Sequence, residues 1–295
     1  MKFLVEYMNY NTKDSKVPTR SVEVSGEEAI EIYFENCDYW KLRDTRELTS
    51  DQERSGVPDI LTLSRGAQVN RQFSTIDPKG KMRGSKNTSN EYTNLMDNIL
   101  DSWGGYPRRS ESLIMSTDFI RKNIMIPFKG SMVGICPSDD LWWSFKGLNG
   151  MVMDDFNRNF LKTFDIDMDD LSNPPSKEDL MKINLDESMR LCKLDTEKTG
   201  SRFMGQDGTC KLVNNIWSKL EQGSEVKISL YEFLDFILDP NRNDFRLIRS
   251  EDFQSLDKDR YFKKECWSDG KFLTVNKDSY NWFLNKVIND PRYKH

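Results

Sequence analysis

The sequence predicts an α+β protein in which a β-sheet domain is interrupted by helices, and three observations lead to that prediction. Short β-type runs separated by turn residues lie within 112–136, and β-type residues return at 261–275. Between them, at about 140–240, the pattern changes to helical periodicity broken by polar loops. The chain has 295 residues, which is enough for one large domain with a sizeable insertion.

The N-terminal part of the chain predicts a strand followed by a helix. Residues 1–7 have the pattern of a short strand, and Ser25 and Glu28 have the spacing of a capping box, which marks a helix start. One face of that helix carries Ala29, Ile30, Tyr33, Phe34 and Cys37. Weak alternation at 60–63 and 73–76 predicts further strands.

The middle of the chain predicts the clearest helix and three strands. Helical spacing relates six apolar residues: Tyr92, Leu95, Met96, Ile99, Leu100 and Trp103. The runs 112–116, 123–127 and 132–136 then predict three adjacent strands of a sheet, with a turn at Lys129 and Gly130.

The remaining segments predict a helical insertion and a closing helix. Helical patterns occur at 151–164, 176–192 and 210–220, and Ser229 with Glu232 predicts a further capped helix. The closing helix is marked by Tyr280, Phe283, Leu284 and Val287. The predicted organisation is a βα extension (1–75), the first half of the sheet domain (76–139), a helical insertion or lid (140–240), and the second half with the closing helix (241–295).

Composition excludes several kinds of chemistry. The single histidine is His295, and the five cysteines are scattered without CxxC spacing, so we expect no metal site, histidine base or catalytic triad. The net charge of −5 and the dispersed basic residues argue against duplex DNA as a partner. No run has membrane-spanning length and the N-terminus has no apolar leader, which predicts a soluble, intracellular protein. Its chemistry would then use arginine, hydroxyl and carboxylate groups.

Three short segments together suggest a function. They contain Arg83, Gly84 and Ser85; then Ser116 and Thr117; then Glu265. In this order they resemble the Arg, Ser-Thr, Glu pattern of the mono-ADP-ribosyltransferase superfamily. Residues 87–93 and 107–117 also resemble uncharacterised tailed-phage proteins with ADP-ribosyltransferase-like features. The resemblance covers 76–129 and 261–276.

The resemblance implies a split antiparallel β-sheet and an enzyme that uses NAD as co-substrate. Glu265 would stabilise the oxocarbenium-like centre formed when nicotinamide leaves the ribose. Arg83 would bind phosphate or ribose, beside Gly84 and Ser85, because a guanidinium is permanently charged and binds phosphate oxygens bidentately. Ser116 and Thr117 would hydrogen-bond the nicotinamide side and orient the carboxylate.

The resemblance further implies transfer of ADP-ribose to a host protein or RNA by a phage-encoded enzyme, with no membrane involved. It would act in the host cytoplasm, whether made there or delivered with the virion.

Two features depart from the family pattern and keep alternatives open. Lys263 stands where arginine-modifying members have a second Gln or Glu, and Asp139 or Asp140 competes with Glu265 for the acidic role. The main alternative is a catalytically inactive phage accessory or virion-associated protein that binds a host or structural partner. A further one is binding or hydrolysis of NAD without transfer.

Overall fold

The computed structural model of the protein forms two compact units, of which it describes most of the first and a smaller part of the second. The described residues are 20–37, 40–43, 60–66, 71–79, 90–118, 122–141, 144–145, 173–184 and 229–293. The first unit, called the sheet unit, consists of Met1–Arg83, Tyr106–Asp140 and Phe245–His295. The second, called the helical unit, consists of Gly84–Gly105 and Leu141–Asp244.

Within the described residues, the sheet unit contains one large antiparallel sheet of nine strands, so the protein is α+β. The order across the sheet is β1-β3-β9-β5-β2-β4-β8-β6-β7. The strands are β1 (Arg20–Glu23), β2 (Leu63–Arg65), β3 (Phe73–Asp77), β4 (Leu113–Ser116), β5 (Asn123–Pro127), β6 (Met132–Ile135), β7 (Arg246–Arg249), β8 (Glu265–Ser268) and β9 (Phe272–Asn276).

Strands β2 and β4 share less pairing than the other neighbouring strands. These two strands pair at one position, Ser64 opposite Ser116, whereas β5 and β9 pair at five positions. We call β1, β3, β9, β5 and β2 the first ladder, and β4, β8, β6 and β7 the second ladder. Among the residues that the structure describes, the two ladders are therefore joined through a single residue pair.

The three runs at 112–136 form strands as predicted, but the prediction that they are adjacent is wrong. Strand β4 lies between β2 and β8, β5 lies between β2 and β9, and β6 lies between β8 and β7. The turn at Gly130 is present, with a φ of 81° that favours glycine. It does not close a hairpin, because strands from the C-terminal part of the chain pair with β5 and β6 instead.

The helices of the described residues are short. None of them combines the length and the apolarity that a bilayer crossing requires. The helices are α1 (Gly26–Asn36), α2 (Glu91–Asn94), α3 (Lys177–Lys182), α4 (Leu230–Leu238), α5 (Lys258–Tyr261) and α6 (Lys277–Ile288). Turns of 3₁₀ helix lie at Asp101–Trp103, Arg109–Glu111 and Ser250–Ser255.

Helices α1 and α6 contribute to the core of the sheet unit. Helix α1 begins with the predicted capping box, because Glu28 N donates to Ser25 Oγ and Ser25 N donates to the Glu28 carboxylate. All four predicted apolar residues of α6 are buried. The ring of Phe283 lies 5.9 Å from that of Tyr33 in α1 and 6.1 Å from that of Phe73 in β3. These contacts bury apolar surface between helix and sheet.

The predicted helix at 92–103 is confirmed in part, and all six of its apolar residues are buried. Helix α2 passes into a π-helical turn, Leu95–Ile99, and the chain is extended at Leu100 before the 3₁₀ turn. Within the helical unit, the Trp103 indole N–H donates to the Leu238 carbonyl at 3.0 Å. The π-helical and 3₁₀ turns, which local periodicity does not predict, thus occur in a segment that also forms a long-range hydrogen bond.

Helix α4 begins at Ser229 with the predicted capping box. The predicted strand at 1–7 and the predicted helices at 151–164 and 210–220 lie outside the described residues.

Candidate functional site

A row of directly opposed residues crosses six neighbouring strands of the sheet. Side chains that are directly opposite in an antiparallel pair lie on the same face. Half of the row is apolar and half is polar. From β3 through β9, β5, β2 and β4 to β8, the row is Phe73, Val275, Ile124, Ser64, Ser116 and Glu265. We call Ser64, Ser116 and Glu265 the polar row.

Two predicted site residues, Ser116 and Glu265, are neighbours in the polar row. Ser116 is the last residue of β4 and Glu265 is the first of β8, and the two are paired. Opposed residues have Cβ atoms about 4.5–5.5 Å apart. The Ser116 and Glu265 side chains are partly exposed, whereas Ser64 is fully buried and its hydroxyl donates to the Asp118 carbonyl. A hydroxyl and a carboxylate therefore lie side by side at the join of the ladders.

Arg109 forms an ion pair with Glu265. The distance from Arg109 Nη2 to Glu265 Oε1 is 2.7 Å, and the two side chains are 13% and 12% exposed. Arg109 begins the 3₁₀ turn Arg109–Glu111, which precedes β4. Because both groups are largely removed from water, their mutual attraction is screened much less than that of a surface pair.

Trp267 supports this ion pair from the same strand. It lies two residues after Glu265 in β8, hence on the same face, and the Arg109 guanidinium carbon is 5.7 Å from its ring centroid. Its indole N–H donates to the Pro107 carbonyl at 2.8 Å, and Tyr106 stacks on its ring. Gly134 leaves room for the ring, since a Cβ there would lie 2.6 Å from it. The indole therefore contacts both the backbone before Arg109 and the side chain of Arg109.

Thr117 is fully buried and its hydroxyl binds backbone. The hydroxyl donates to the Tyr261 carbonyl and accepts from Lys264 N at 2.8 Å. Between these two residues Lys263 has a φ of 56°, a left-handed conformation that is uncommon for a residue with a side chain. Thr117 thus fixes the turn that leads into Glu265, and only one lone pair of its hydroxyl stays available.

The competing acids, Asp139 and Asp140, follow β6 at the same end of the sheet. Glu265 N donates to the Ser138 carbonyl at 3.1 Å, and Cys136 N donates to the Glu265 carbonyl at 2.8 Å. Asp139 is exposed and Asp140 is half-buried. Both candidate positions therefore lie close along the chain to residues that bind the Glu265 backbone.

The structure brings together Ser116, Thr117 and Glu265 of the predicted site. The predicted NAD-binding residues Arg83, Gly84 and Ser85 lie outside the described residues, so their place relative to the polar row stays a prediction.

Three residues of this arrangement were not among the predicted site residues: Ser64, Arg109 and Trp267. Arg109 lies within the stretch 107–117 that carries the resemblance, and this proximity is the signal that could have found it. Its ion pair joins segments far apart in the chain, and Ser64 joins the polar row through one long-range pair. Local patterns do not specify such pairings.

Cys266, the residue after Glu265, is not a thiolate. Burial raises the pKa of the Cys266 thiol well above its ordinary value, and the negative charge of Glu265 adds to that effect. Cys266 therefore stays a neutral thiol, which is a poor nucleophile. Among the described residues, no three histidine, cysteine, aspartate or glutamate side chains converge as metal ligands do.

Comparison with known proteins gives no match. No protein-family model, curated protein or solved structure is significantly similar to the chain.

Proposed function

We propose that the protein is a mono-ADP-ribosyltransferase that moves ADP-ribose from NAD to a host macromolecule. The observation that carries the proposal is the pairing of Ser116 with Glu265 on one sheet face, at the join of the two ladders. Loss of nicotinamide leaves positive charge on the ribose, and a fixed carboxylate stabilises that charge. The Glu265 carboxylate would take this role, and the neighbouring Ser116 hydroxyl would orient the ribose or the carboxylate.

The proposal includes the fold type and the binding of the co-substrate. A sheet made of two ladders with a single joining pair supports an ADP-ribosyltransferase-like split sheet. Arg83, Gly84 and Ser85 would bind the phosphates and ribose of NAD, as the resemblance implies. Thr117 would act on the backbone before Glu265, because its hydroxyl donates to Tyr261 rather than towards the polar row.

The biological setting of the proposal rests on the resemblance. We propose a phage-encoded protein that acts in the host cytoplasm on a host protein or RNA. Lys263 stands where arginine-modifying members have a Gln or Glu, so an acceptor other than arginine is the first to test.

A second candidate function is binding of a host or structural partner without catalysis. The ion pair of Glu265 with Arg109 favours it, because a carboxylate neutralised by a guanidinium offers less charge to a developing cation. Under this candidate Glu265 is a structural residue. Hydrolysis of NAD without transfer is the intermediate case.

Nicotinamide release from labelled NAD, with and without host extract, tests the proposal. Wild-type protein should release nicotinamide and label one or more host molecules. Glu265→Gln keeps the shape of the side chain but removes its charge, so the rate should fall about 10²–10³-fold. Glu111→Gln, in the turn that begins with Arg109, is the matched control and should retain the wild-type rate.

The competing acid is tested in the same assay. Asp140→Asn should leave nicotinamide release within about threefold of wild type, since we assign the charge to Glu265. A loss in Asp140→Asn with full activity in Glu265→Gln would move the acidic role to Asp140. No release and no labelling by folded wild-type protein would contradict the enzymatic function and favour the binding candidate.

A further inference from the structure

We infer that Arg109 is the positioning residue of this site: its guanidinium holds the Glu265 carboxylate ionised and in place in the polar row. The inference deepens the proposed function and rests on it, because an ionised Glu265 matters for catalysis only if its carboxylate acts on the ribose. Arg109 contacts Glu265 and Trp267, and we do not assign it to contact with NAD.

Burial makes such a partner necessary. A carboxylate that is 12% exposed has lost most of its hydration, and desolvation alone favours its neutral form. A neutral carboxyl group would not stabilise positive charge on the ribose. A guanidinium stays charged at every relevant pH, and at 2.7 Å it favours the ionised carboxylate.

Arg109 also contacts Trp267, which is held in place by its own neighbours. The Trp267 ring lies beneath the guanidinium, and the indole N–H binds the carbonyl of Pro107, two residues before Arg109. Tyr106 stacks on the Trp267 ring, with the two ring centroids 6.0 Å apart and an interplanar angle of 22°. The planar guanidinium suits this site better than a lysine ammonium, which has no flat face to stack.

Other charged groups surround the pair on each adjoining segment. Lys263 and Lys264 precede β8, Asp139 and Asp140 follow β6, and Asp118 follows β4. In the turn itself, Arg108 pairs with Glu111 at 3.3 Å. Arg108 is thus an adjacent arginine whose own ion pair involves a different carboxylate, which makes it the matched control.

The test compares Arg109→Met, Arg109→Lys and Arg108→Met in nicotinamide release across pH. In Arg109→Met, kcat should fall about 10²-fold while KM for NAD stays within about threefold. The acid limb of its pH profile should move to higher pH, because Glu265 loses the cation that pairs with its ionised form. Compared with Arg109→Met, Arg109→Lys should have a higher kcat and a pH profile closer to that of wild type. Arg108→Met should match wild type.

Some outcomes would overturn the inference. A wild-type kcat and pH profile in Arg109→Met would mean that Glu265 does not depend on Arg109. A change in KM alone would mean that Arg109 binds substrate. If Arg109→Met does not fold, Arg109→Lys decides: a kcat and pH profile identical to wild type would show that the guanidinium is not required.

A second measurement does not depend on catalysis. The Glu265 carboxyl can be titrated by ¹³C NMR, with its resonance assigned by its absence in Glu265→Gln. A rise of at least about one pKa unit in Arg109→Met supports the inference, and an unchanged pKa overturns it. If wild type does not cleave NAD, the proposed function fails, and this titration still decides whether Arg109 holds the carboxylate ionised.

Discussion

One row of residues changes from apolar to polar as it approaches the join of the two ladders. In the first ladder, Phe73, Val275 and Ile124 are at most 5% exposed and belong to the apolar core. The row then continues through the buried Ser64 of β2 to Ser116 and Glu265 of the second ladder, which are partly buried, and Glu265 pairs with Arg109. The register that builds a core on one side of the join therefore positions a polar site on the other.

The difference shows what the sheet contributes to each side. Strand pairing fixes which residues are neighbours, but it is indifferent to whether they are apolar or polar. On the first ladder, the neighbours gain free energy by excluding water. On the second, an ion pair and a hydroxyl are held together where water is partly excluded, which strengthens their electrostatic interactions. Substitutions in the two halves should accordingly separate stability from activity.

The largest expected loss of stability comes from the apolar half. Phe73→Ala removes a buried ring that contacts Phe283 and Trp282, and should lower the free energy of unfolding by about 3–5 kcal/mol. Nicotinamide release per folded molecule should be unchanged. Urea unfolding and activity on the same samples measure both quantities. Val22→Ala, at a side chain that is 58% exposed, is the control and should cost under about 0.5 kcal/mol.

The next largest loss of stability is expected when one partner of the Arg109–Glu265 ion pair is removed. Arg109→Met leaves a largely buried carboxylate without its cation and should cost about 3 kcal/mol. Arg109→Met combined with Glu265→Met should recover most of that stability, because no charge is then left buried. The double variant should still lack activity. If the costs of Arg109→Met and Glu265→Met, measured by urea unfolding, add up to the cost of the double variant, the pair contributes no coupling.

A smaller loss is expected at the turn into β8. Thr117→Val keeps the shape of the side chain and removes the backbone hydrogen bonds of its hydroxyl, so unfolding should require about 1–3 kcal/mol less. The matched control is Thr274→Val, a buried hydroxyl whose partner is the Met125 sulfur at 3.8 Å, and it should cost about 0.5 kcal/mol or less. Similar losses in both variants would argue against a special role for Thr117.

The smallest effect is the pH dependence of stability that comes from an exposed ion-pair cluster around Arg292. Arg292 donates to Glu31 of α1 and to Asp290, which lowers the pKa of both carboxyls, that of Asp290 to about 2. Folded pKa values below the unfolded ones stabilise the protein above about pH 4, and this contribution is lost as pH falls towards 2.

Melting temperatures of wild type and Arg292→Met, measured from pH 7 to pH 2, test this contribution. The small advantage of wild type should disappear in the acid range. Lys286→Met, whose ammonium lies over the Trp282 ring, should show no such pH dependence. An advantage that persists at pH 2 would assign it to packing rather than to charge.

Local patterns predicted the parts of the fold that local interactions determine. The capping boxes at Ser25 and Ser229 and the buried face of α6 depend on residues within one or two helical turns. The strand order was predicted wrongly, because β8 and β9 come from the end of the chain and pair with β4, β5 and β6. Such pairings depend on distant sequence and on closing long loops.

For the candidate site, the structure bears only on where the predicted residues lie. The types and order of Ser116 and Glu265 could be recognised as a pattern, and the strands place them side by side. Arg109 could not be assigned from sequence, because an arginine beside Arg108 has no local feature that identifies its carboxylate partner. Thr117 was expected to contact the ligand, and its hydroxyl instead binds backbone on both sides of Lys263.

The most direct test is an experimental structure of Glu265→Gln soaked with NAD, since this variant should bind the co-substrate without cleaving it. We predict that the anomeric carbon of the nicotinamide ribose lies within about 3.5 Å of the side chain at position 265. Ser116 should adjoin the same ribose, and Arg83 should contact the phosphates. NAD bound away from the polar row, or no binding at millimolar NAD, would contradict the account.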